Sequence, residues 1–376
     1  MINVAALATF SVVSGTALAQ SSINLSGRID LGHSSIKTTP YGGNATKVTS
    51  LAGDQHGRTT SRLTFSGVED LGGGLRAAFN YETRLNPDTI DAAGLDRTRN
   101  MFLNLSGGFG AVTIGTYLNP FDTVRGFSAA TYSAPGGDFL ANHIGIASKI
   151  MTTADLVAEG LTNAQATTVL ALLNNGLSAR STNSIGYTST SFGGGFTASI
   201  GMSQEKTSTG NTALDKKEGV IGSLAYASGP LNARLALGEG KVALRSTATD
   251  LSSAKTTDAA IAVSYDLGVA VPYIQHESTK VTVANVGGFA LSENNAFKSN
   301  ATELGAKFPM GALTPYVTVG AGNLKSDGEK LKTSSFQIGT TYDLSKRTSV
   351  YAAAGQLKLK EVSKTNGYKI GLIHNF

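Results

Sequence analysis

The feature that most constrains the fold of this chain is a regular alternation between two kinds of connection. From Ser22 onward, extended segments with a polarity period of two are separated in turn by tight Gly-rich turns and by long polar loops. The tight turns lie at 71–74, 107–110, 193–195, 229–230, 267–269, 310–312 and 345–347, and the long loops at 37–57, 86–96, 119–179, 205–217, 242–255, 283–298, 325–331 and 360–365. Short turns at one end of the strands and long loops at the other are typical of an up-and-down barrel in an outer membrane.

The segments between these connections predict an all-β fold of sixteen antiparallel strands. They lie near 22–36, 58–70, 75–85, 97–106, 111–118, 180–190, 196–204, 218–228, 231–241, 256–267, 270–282, 299–310, 313–324, 332–344, 348–359 and 366–376. An even number of strands lets the last one pair with the first, which removes the unpaired sheet edge that lipid would not tolerate. We therefore predict one closed transmembrane β-barrel domain over residues 20–376.

The two faces of each strand differ in polarity. In the first strand Ile23, Leu25 and Ile29 share one parity, whereas Asn24 and Arg28 share the other. We expect the apolar parity to face lipid and the polar parity to face a wet lumen. Strands of soluble sandwiches are about 5–6 residues long, whereas these longer segments suit tilted strands that cross roughly 30 Å of hydrocarbon. No segment after residue 20 is apolar for 18 residues, which excludes a helical membrane span.

Residues 1–19 have the pattern of a secretory signal peptide. They carry no charge, contain an apolar stretch from Val4 to Val13, and end in Ala17-Leu18-Ala19, a small-x-small cleavage pattern. Cleavage after Ala19 would leave Gln20 as the first mature residue. Export of a chain without cysteine is compatible with the bacterial cell envelope.

Composition and motifs argue against catalysis, metal binding and nucleic-acid binding. The chain has no cysteine, and its five histidines are scattered without metal-ligand spacing, so we predict no metal site and no cofactor. The net charge is +5, but no Lys/Arg cluster with interleaved aromatics suggests a nucleic-acid partner. The Gly runs lack a following Lys-Ser/Thr, and no Gly-x-Ser-x-Gly motif occurs, so we predict no phosphate loop and no catalytic residue. Acidic loop segments at 211–215 and 325–329 could suggest calcium sites, but solvated loop charge is the better interpretation.

The connection 119–179 is too long for an idle loop. Its first part, up to Asp138, is rich in turn residues. Its second part, 152–175, has the only helical pattern of the chain, with cap candidates at Thr153 and Thr162 and a stop at Asn175-Gly176. We therefore expect a short helical segment within this loop.

Several blocks of the chain resemble the general bacterial porins, the trimeric sixteen-stranded pores of Gram-negative outer membranes. The resemblance is carried by residues 61–75, by 99–110, by Asp343-Leu344-Ser345-Lys346-Arg347-Thr348 leading to Tyr351, and by the final His374-Asn375-Phe376. It covers nearly the whole mature chain, and the order and spacing of the blocks are more specific than any single block.

The resemblance implies that the third loop, here 119–179, folds into the barrel and narrows it opposite a ladder of basic wall residues. The match places six charged residues at this constriction: Arg28, Arg62, Arg99 and Arg180 on the wall, and Asp122 and Asp138 on the loop. Arg28 and Arg62 lie on the polar parity of their strands. Arg99 shares the parity of Met101, so its inward position needs a bulge or an inward apolar row near the rim.

The function implied is a passive outer-membrane channel for ions and small hydrophilic solutes. The resemblance further implies a homotrimer surrounded by outer-membrane lipid and lipopolysaccharide. Fixed charges in a narrow passage act strongly because field lines are focused there, so the excess of arginine predicts a weak preference for anions. Two alternatives stay open: a substrate-specific channel with a solute-binding site in the lumen, and a structural or adhesive barrel plugged by its long loop.

Overall fold

The protein is described here by a computed structural model. The described residues are 22–54, 60–85, 95–131, 134–137, 139–140, 157, 162–163, 166–167, 180–206, 213–245, 251–286, 289–291, 296–326 and 329–376. The predicted signal peptide, Asp138 and most of the helical pattern at 152–175 lie outside these ranges. Within them, no helix is long and apolar enough to cross a membrane.

The described residues form one antiparallel sheet of eighteen strand segments and one short helix. In chain order these are β1 Ser22–Pro40, β2 Thr46–Asp54, β3 Arg62–Gly72, β4 Leu75–Leu85, β5 Leu95–Gly107, β6 Gly110–Leu118, α1 Pro120–Arg125, β7 Arg180–Thr188, β8 Phe196–Lys206, β9 Ala213–Ser228, β10 Leu231–Arg245, β11 Leu251–Tyr265, β12 Val271–Val286, β13 Phe289–Leu291, β14 Phe297–Lys307, β15 Leu313–Ser326, β16 Glu329–Asp343, β17 Thr348–Leu359 and β18 Ser363–Asn375.

The sheet closes on itself between the first and last strands. β1 pairs with β18 from Arg28 opposite Asn375 to Pro40 opposite Ser363. At the end of this seam, the backbone amides of Gly27 and Phe376 each donate to the carbonyl of the other, at 2.9 and 3.1 Å. Among the described residues, the barrel therefore leaves no strand edge open to lipid, as the sequence predicts.

Eighteen segments make sixteen barrel strands because two barrel strands are interrupted. β1 pairs with β3 through Ser22–Arg28 and with β2 through residues 31–38, so β2 and β3 occupy one position in the sheet. β12 likewise pairs with both β13 and β14. The closed sixteen-stranded barrel confirms the predicted fold. The segments β2 and β13 correct the prediction that 37–57 and 283–298 are loops throughout.

The outer wall is apolar, as the parity of the strands predicts. Exposed apolar side chains alternate along the strands on the outer face, including those of Leu25, Leu103, Ile200, Leu237, Ile274, Leu304, Ile338 and Ile370. The inner face carries the other parity, with buried polar residues such as Asp30, Gln275 and Gln337. Tight turns join the strands at one end. The β7–β8 turn needs glycine because Gly193, Gly194 and Gly195 all have positive φ values, of 54°, 78° and 136°.

Helix α1 begins the third loop and was not predicted from the sequence. The side-chain oxygen of Asn119 accepts hydrogen bonds from the backbone amides of Phe121 and Asp122 at 3.0 and 3.3 Å, and Pro120 occupies the first helical position. Gly126 follows its last residue. In the segment 152–175 the structure describes only isolated residues, among which the Ala166 amide donates to the Thr162 carbonyl at 2.9 Å.

Candidate functional site

The described residues 119–131, 134–137 and 139–140 of the third loop are called the inner loop here, and they lie against one side of the barrel interior. An ion pair anchors its helix to the wall. Arg125 Nε donates to Glu277 Oε2 at 2.9 Å, and Arg125 Nη2 donates to Glu277 Oε1 at 2.5 Å. The two side chains are only 7% and 1% exposed, so this is a buried bidentate pair.

The hydroxyl of Tyr273 and the side-chain amide of Gln337, both on the barrel wall, hold the next part of the inner loop by hydrogen bonds. The Tyr273 hydroxyl accepts from the Ala129 amide at 3.0 Å, and Gln337 Oε1 accepts from the Thr131 amide at 2.7 Å. Gln337 Nε2 in turn donates to the Pro135 carbonyl at 3.2 Å. Because these wall groups come from β12 and β16, the loop is fixed across several neighbouring strands.

Apolar packing and direct backbone contact complete the attachment. Phe121, Val124 and Phe127 form a buried cluster with small wall residues such as Ala236 and Ala260. Further along the loop, Pro135 contacts the wall at Gly355 of β17. A Cβ built on Gly355 would lie 2.1 Å from the carbonyl oxygen of Pro135. The inner loop thus folds into the barrel, as expected, and covers the wall from β9 to β17.

The strands near the start of the chain carry a row of arginines on the inner face. Arg28 of β1 lies opposite Arg62 of β3, which lies opposite Arg84 of β4. Arg28 Nε donates to Asn375 Oδ1 at 2.6 Å, and Arg62 Nε lies 3.5 Å from Glu82 Oε2. The structure therefore places Arg28 and Arg62 where parity predicts them.

A change of register brings Arg99 into the same group. Between Tyr81 and Thr83 of β4, the pairing with β5 shifts by one residue, which is one of the two solutions that the sequence allows for this position. The outward parity of Met101 therefore does not extend to Arg99. Arg99 Nε instead donates to Glu82 Oε1 at 2.5 Å, so Glu82 lies between two arginines.

Arg180 and Asp122 complete the charged group. Arg180, the first residue of β7, donates from Nε to Asn100 Oδ1 at 3.1 Å. Asp122 lies on α1, within electrostatic reach of Arg125, Arg180 and Arg99. Burial raises the pKa of the Asp122 carboxyl above its usual value, and the three guanidinium groups only partly oppose that rise.

Five of the six predicted residues can thus be placed, and Asp138 lies outside the described residues. That these residues form the narrowest part of the pore stays a prediction. Sequence reasoning missed Glu82 and Arg84, although both share the polar parity of β4 with Asn80. It also missed the pair of Arg125 and Glu277. No signal could have found Glu277, because β12 is polar on both faces near this residue.

A cavity of about 430 Å³ lies between α1 and the inner faces of β6–β10. Its lining includes the residues Tyr117, Thr123, Ser199 and Ser223, together with Arg234. The Arg234 guanidinium carbon also lies 5.8 Å from the centroid of the Phe127 ring, in a cation–π contact with the inner loop. One cation among hydroxyl groups is an arrangement that could hold a small anion.

Comparisons with known proteins agree with this architecture. The model of the Gram-negative porin family matches residues 4–361. Outer membrane porin protein 32 of Delftia acidovorans is 31% identical over 358 residues, which cover 93% of this chain and 88% of that protein.

Two solved structures share the fold. The anion-selective porin from Comamonas acidovorans superposes with a TM-score of 0.69 at 24% identity, over 95% of this chain and 100% of that chain. OmpT of Vibrio cholerae, an outer-membrane protein solved in a trimer form, superposes with a TM-score of 0.60 at 14% identity, over 95% and 99% of the two chains. Together with the closed barrel, these matches establish that the chain belongs to the Gram-negative porin family and forms a channel in the outer membrane.

Proposed function

We propose that the channel is passive and prefers anions, and that the charged group on the inner face sets this preference. The observation that carries the proposal is an imbalance of fixed charge. Among the described residues of this group, five guanidinium groups face two carboxylates: Arg28, Arg62, Arg84, Arg99 and Arg180 against Glu82 and Asp122. Arginine keeps its charge at any physiological pH. A passage lined with this positive excess attracts anions and repels cations.

The test is the reversal potential of single channels in a salt gradient. We expect wild type to reverse on the anion-selective side, and Arg62→Ala to move the potential toward zero because one of five guanidinium groups is lost. Arg347→Ala is the matched control, since Arg347 lies exposed in the tight turn after β16. A cation-selective wild type, or equal shifts in both variants, would refute the proposal.

The preference is expected to strengthen in mild acid. Because burial raises the pKa of Asp122, this carboxyl takes up a proton at a higher pH than an ordinary aspartate, and the lumen then loses one negative charge. Reversal potentials measured from pH 7 down to about pH 4 should therefore move further to the anion side. Asp122→Asn should start from the shifted value and change less over this range. Identical pH profiles in the two proteins would exclude Asp122 as the group responsible.

A second candidate is a channel with a solute-binding site, favoured by the cavity that Arg234 and Tyr117 line. Conductance that saturates with one small anionic solute would support it, whereas conductance proportional to concentration supports simple diffusion.

The finer assignments follow from the family. We infer that the protein assembles as a homotrimer, which the trimer form of the Vibrio cholerae OmpT structure supports. We also infer that residues 1–19 are an export signal, so the mature chain begins at Gln20.

A further inference from the structure

One arginine on the inner face of the barrel, Arg234 of β10, takes part in none of the ion pairs described above. It points inward, since its neighbour Leu235 is exposed on the outer face, and it lines the cavity between α1 and β6–β10. Its Nε atom is enclosed by protein, and within the described part of the chain no hydrogen-bond acceptor reaches it. The cation–π contact with the Phe127 ring does not satisfy that N–H group. Arg234 is therefore a cation that is held in place without a polar partner for its Nε.

The described residues beside Arg234 on the wall supply no carboxylate. Directly opposite it lie Ala225 of β9 and Ala262 of β11. The inward positions diagonal to it are those of Ser223, Ala227, Ala260 and Ser264, none of which is acidic. By contrast, the carboxylates of Glu82 and Glu277 each lie within 3.5 Å of an arginine nitrogen. Because its wall neighbours are small and uncharged, Arg234 has both the space and the charge to take an anion from solution.

The other polar groups of this cavity, which is called the Arg234 pocket here, are uncharged. Ser199 and Ser223 lie opposite each other on β8 and β9, with their side-chain oxygens 2.6 Å apart. Asn232 also lines the pocket and shares the inward face of β10 with Arg234. On the loop side, the Thr123 hydroxyl donates to a backbone carbonyl of α1 at 2.7 Å and can still accept a hydrogen bond. Of the described residues that line the pocket, Arg234 alone is charged.

The size and position of the Arg234 pocket suit a small solute inside the barrel. Its volume of about 430 Å³ lies within the range of roughly 300–1,000 Å³ that is usual for small-molecule sites. Gly195 and Asn232 line it, and both lie near tight turns, which face the periplasm in outer-membrane barrels. Among the described residues, no member of the charged group lines it. The pocket is thus a separate place, between α1 and the tight-turn end of the barrel.

We propose that the Arg234 pocket binds a small monocarboxylate that carries several hydroxyl groups, such as a sugar acid. The guanidinium takes the carboxylate through two parallel N–H···O bonds, a geometry that arginine offers and lysine does not. The serine and threonine hydroxyls and the Asn232 amide form hydrogen bonds with the hydroxyl groups of the solute. A second carboxylate on the solute would be buried without a cation, which is costly, so the pocket selects a monoanion.

This inference rests on the second candidate function, a channel with a solute-binding site, and deepens it. It adds the chemical class of the solute and names the residue that selects it. It does not depend on the charged group that sets ion selectivity, because the described lining of the pocket shares no residue with that group.

The test measures binding of gluconate to the purified barrel in neutral detergent by calorimetric titration. Two related compounds separate the parts of its chemistry: sorbitol has the hydroxyl groups without the charge, and glucarate has a second carboxylate. We expect gluconate to bind at least about tenfold more tightly than either, because sorbitol lacks the charged hydrogen bonds and the second carboxylate of glucarate finds no cation.

Two variants show whether the geometry of Arg234 matters or only its charge. Arg234→Lys should bind gluconate at least about tenfold more weakly than wild type, because it keeps the charge but loses the bidentate geometry. Arg76→Lys is the matched control, since Arg76 shares the inner-face parity of Glu82, lies at the tight-turn end of β4 and does not line the pocket. It should bind gluconate like wild type.

Hydrogen exchange at α1 gives a second readout that a purely electrostatic role for Arg234 would not produce. A bound solute connects Thr123 of α1 to the barrel wall, so gluconate should slow exchange of the Gly126 amide, which donates to the Asp122 carbonyl at 2.9 Å. This slowing is expected in wild type, but neither in Arg234→Lys nor with sorbitol.

The outcomes separate this proposal from the function on which it rests. Equal binding of gluconate and either related compound, or equal binding of gluconate by Arg234→Lys and wild type, would overturn the proposal. Conductance that saturates with another anionic solute while gluconate does not bind would also overturn it, but would leave the second candidate function standing. Conductance proportional to concentration for every anionic solute, together with no binding of gluconate, would remove both.

Discussion

Arg125→Met is expected to loosen the inner loop more than any other single substitution in the lumen. The change leaves the Glu277 carboxylate, 1% exposed, without the guanidinium that binds both of its oxygens. Asp258 lies on the neighbouring strand, is 2% exposed, and interacts with the same two groups. Removing one partner of a buried ion pair typically costs about 3–5 kcal/mol, because the remaining charge is left buried and unpaired.

Hydrogen exchange at the inner loop measures this cost directly. The Ala129 and Thr131 amides donate to wall side chains, so their exchange requires that the loop opens. A loss of about 3 kcal/mol would speed this exchange by roughly a hundredfold. Single-channel currents should also become noisier, since a loop that detaches intermittently changes the width of the passage.

Two further variants show whether Arg125→Met acts by breaking the ion pair or by removing side-chain packing. Arg125→Met/Glu277→Met removes both charges, and it should regain most of the protection, because apolar residues can replace a buried pair at little cost. Arg234→Met removes another wall arginine, which contacts the loop in a cation–π interaction with the Phe127 ring, and should cost about 0.5–1 kcal/mol. If the double variant exchanged as fast as Arg125→Met, the ion pair would not be the main anchor.

The sequence predicts the middle of each strand better than its ends at the long loops. Near the membrane centre, apolar and polar residues alternate, and the tight turns are marked by glycine, so the number and order of strands are readable. Beyond the apolar band, both faces of the strands carry polar or small residues, so the alternation is lost. On β10 the predicted strand ended at 241, whereas the structure continues to Arg245. The outward parity of Leu235 and Leu237 continues with the charged Glu239 and Lys241, so the alternation of polarity no longer marks the strand there.

The same reason explains the two missed segments. β2 has the sequence TKVTSLAGD, which shows no regular alternation of polar and apolar residues. It nevertheless pairs with residues 31–38 of β1. Its partner strand, rather than its own pattern, decides its conformation. β13, at Phe289–Leu291, is too short for any period to show.

The sequence predicted those site residues whose position follows from the alternation of polar and apolar residues along one strand. It missed those whose position depends on contacts between different elements. Arg28 and Arg62 could be assigned from alternation alone. The position of Arg99 depends on a register shift that no single strand reveals. Helix α1 was missed although Asn119-Pro120 and the later Gly126 are ordinary start and stop signals, because the surrounding turn residues obscured so short an element.

Gly355→Val is expected to push the inner loop away from the wall and to lower the single-channel conductance. A Cβ at this position would lie 2.1 Å from the Pro135 carbonyl oxygen and 2.6 Å from the Phe336 carbonyl oxygen. Both atoms belong to the backbone, so no side chain can rotate to make room. Gly136 approaches the same place from the loop, because a Cβ built on it would lie 2.5 Å from the same Phe336 oxygen. Wall and loop thus meet backbone to backbone.

The direction of the resulting movement follows from the barrel. The wall at β16–β18 is fixed by continuous pairing on both sides, whereas the loop is held mainly by side chains such as Gln337. The loop must therefore yield, and it moves away from the wall, toward the pore. We expect a stability loss of about 1–3 kcal/mol, typical of overpacking, together with faster amide exchange at Thr131 and a smaller conductance.

Gly222→Val is the matched control, because it adds the same side chain to a barrel strand where there is room for it. Gly222 shares the outward parity of Val220 and Leu224, and the nearest atom to its added Cβ is 3.9 Å away. Its conductance should equal that of wild type, and Gly355→Ala should fall between Gly355→Val and wild type, since alanine needs less space. A Gly355→Val channel that folds and conducts like wild type would mean that the inner loop does not border the passage at Pro135.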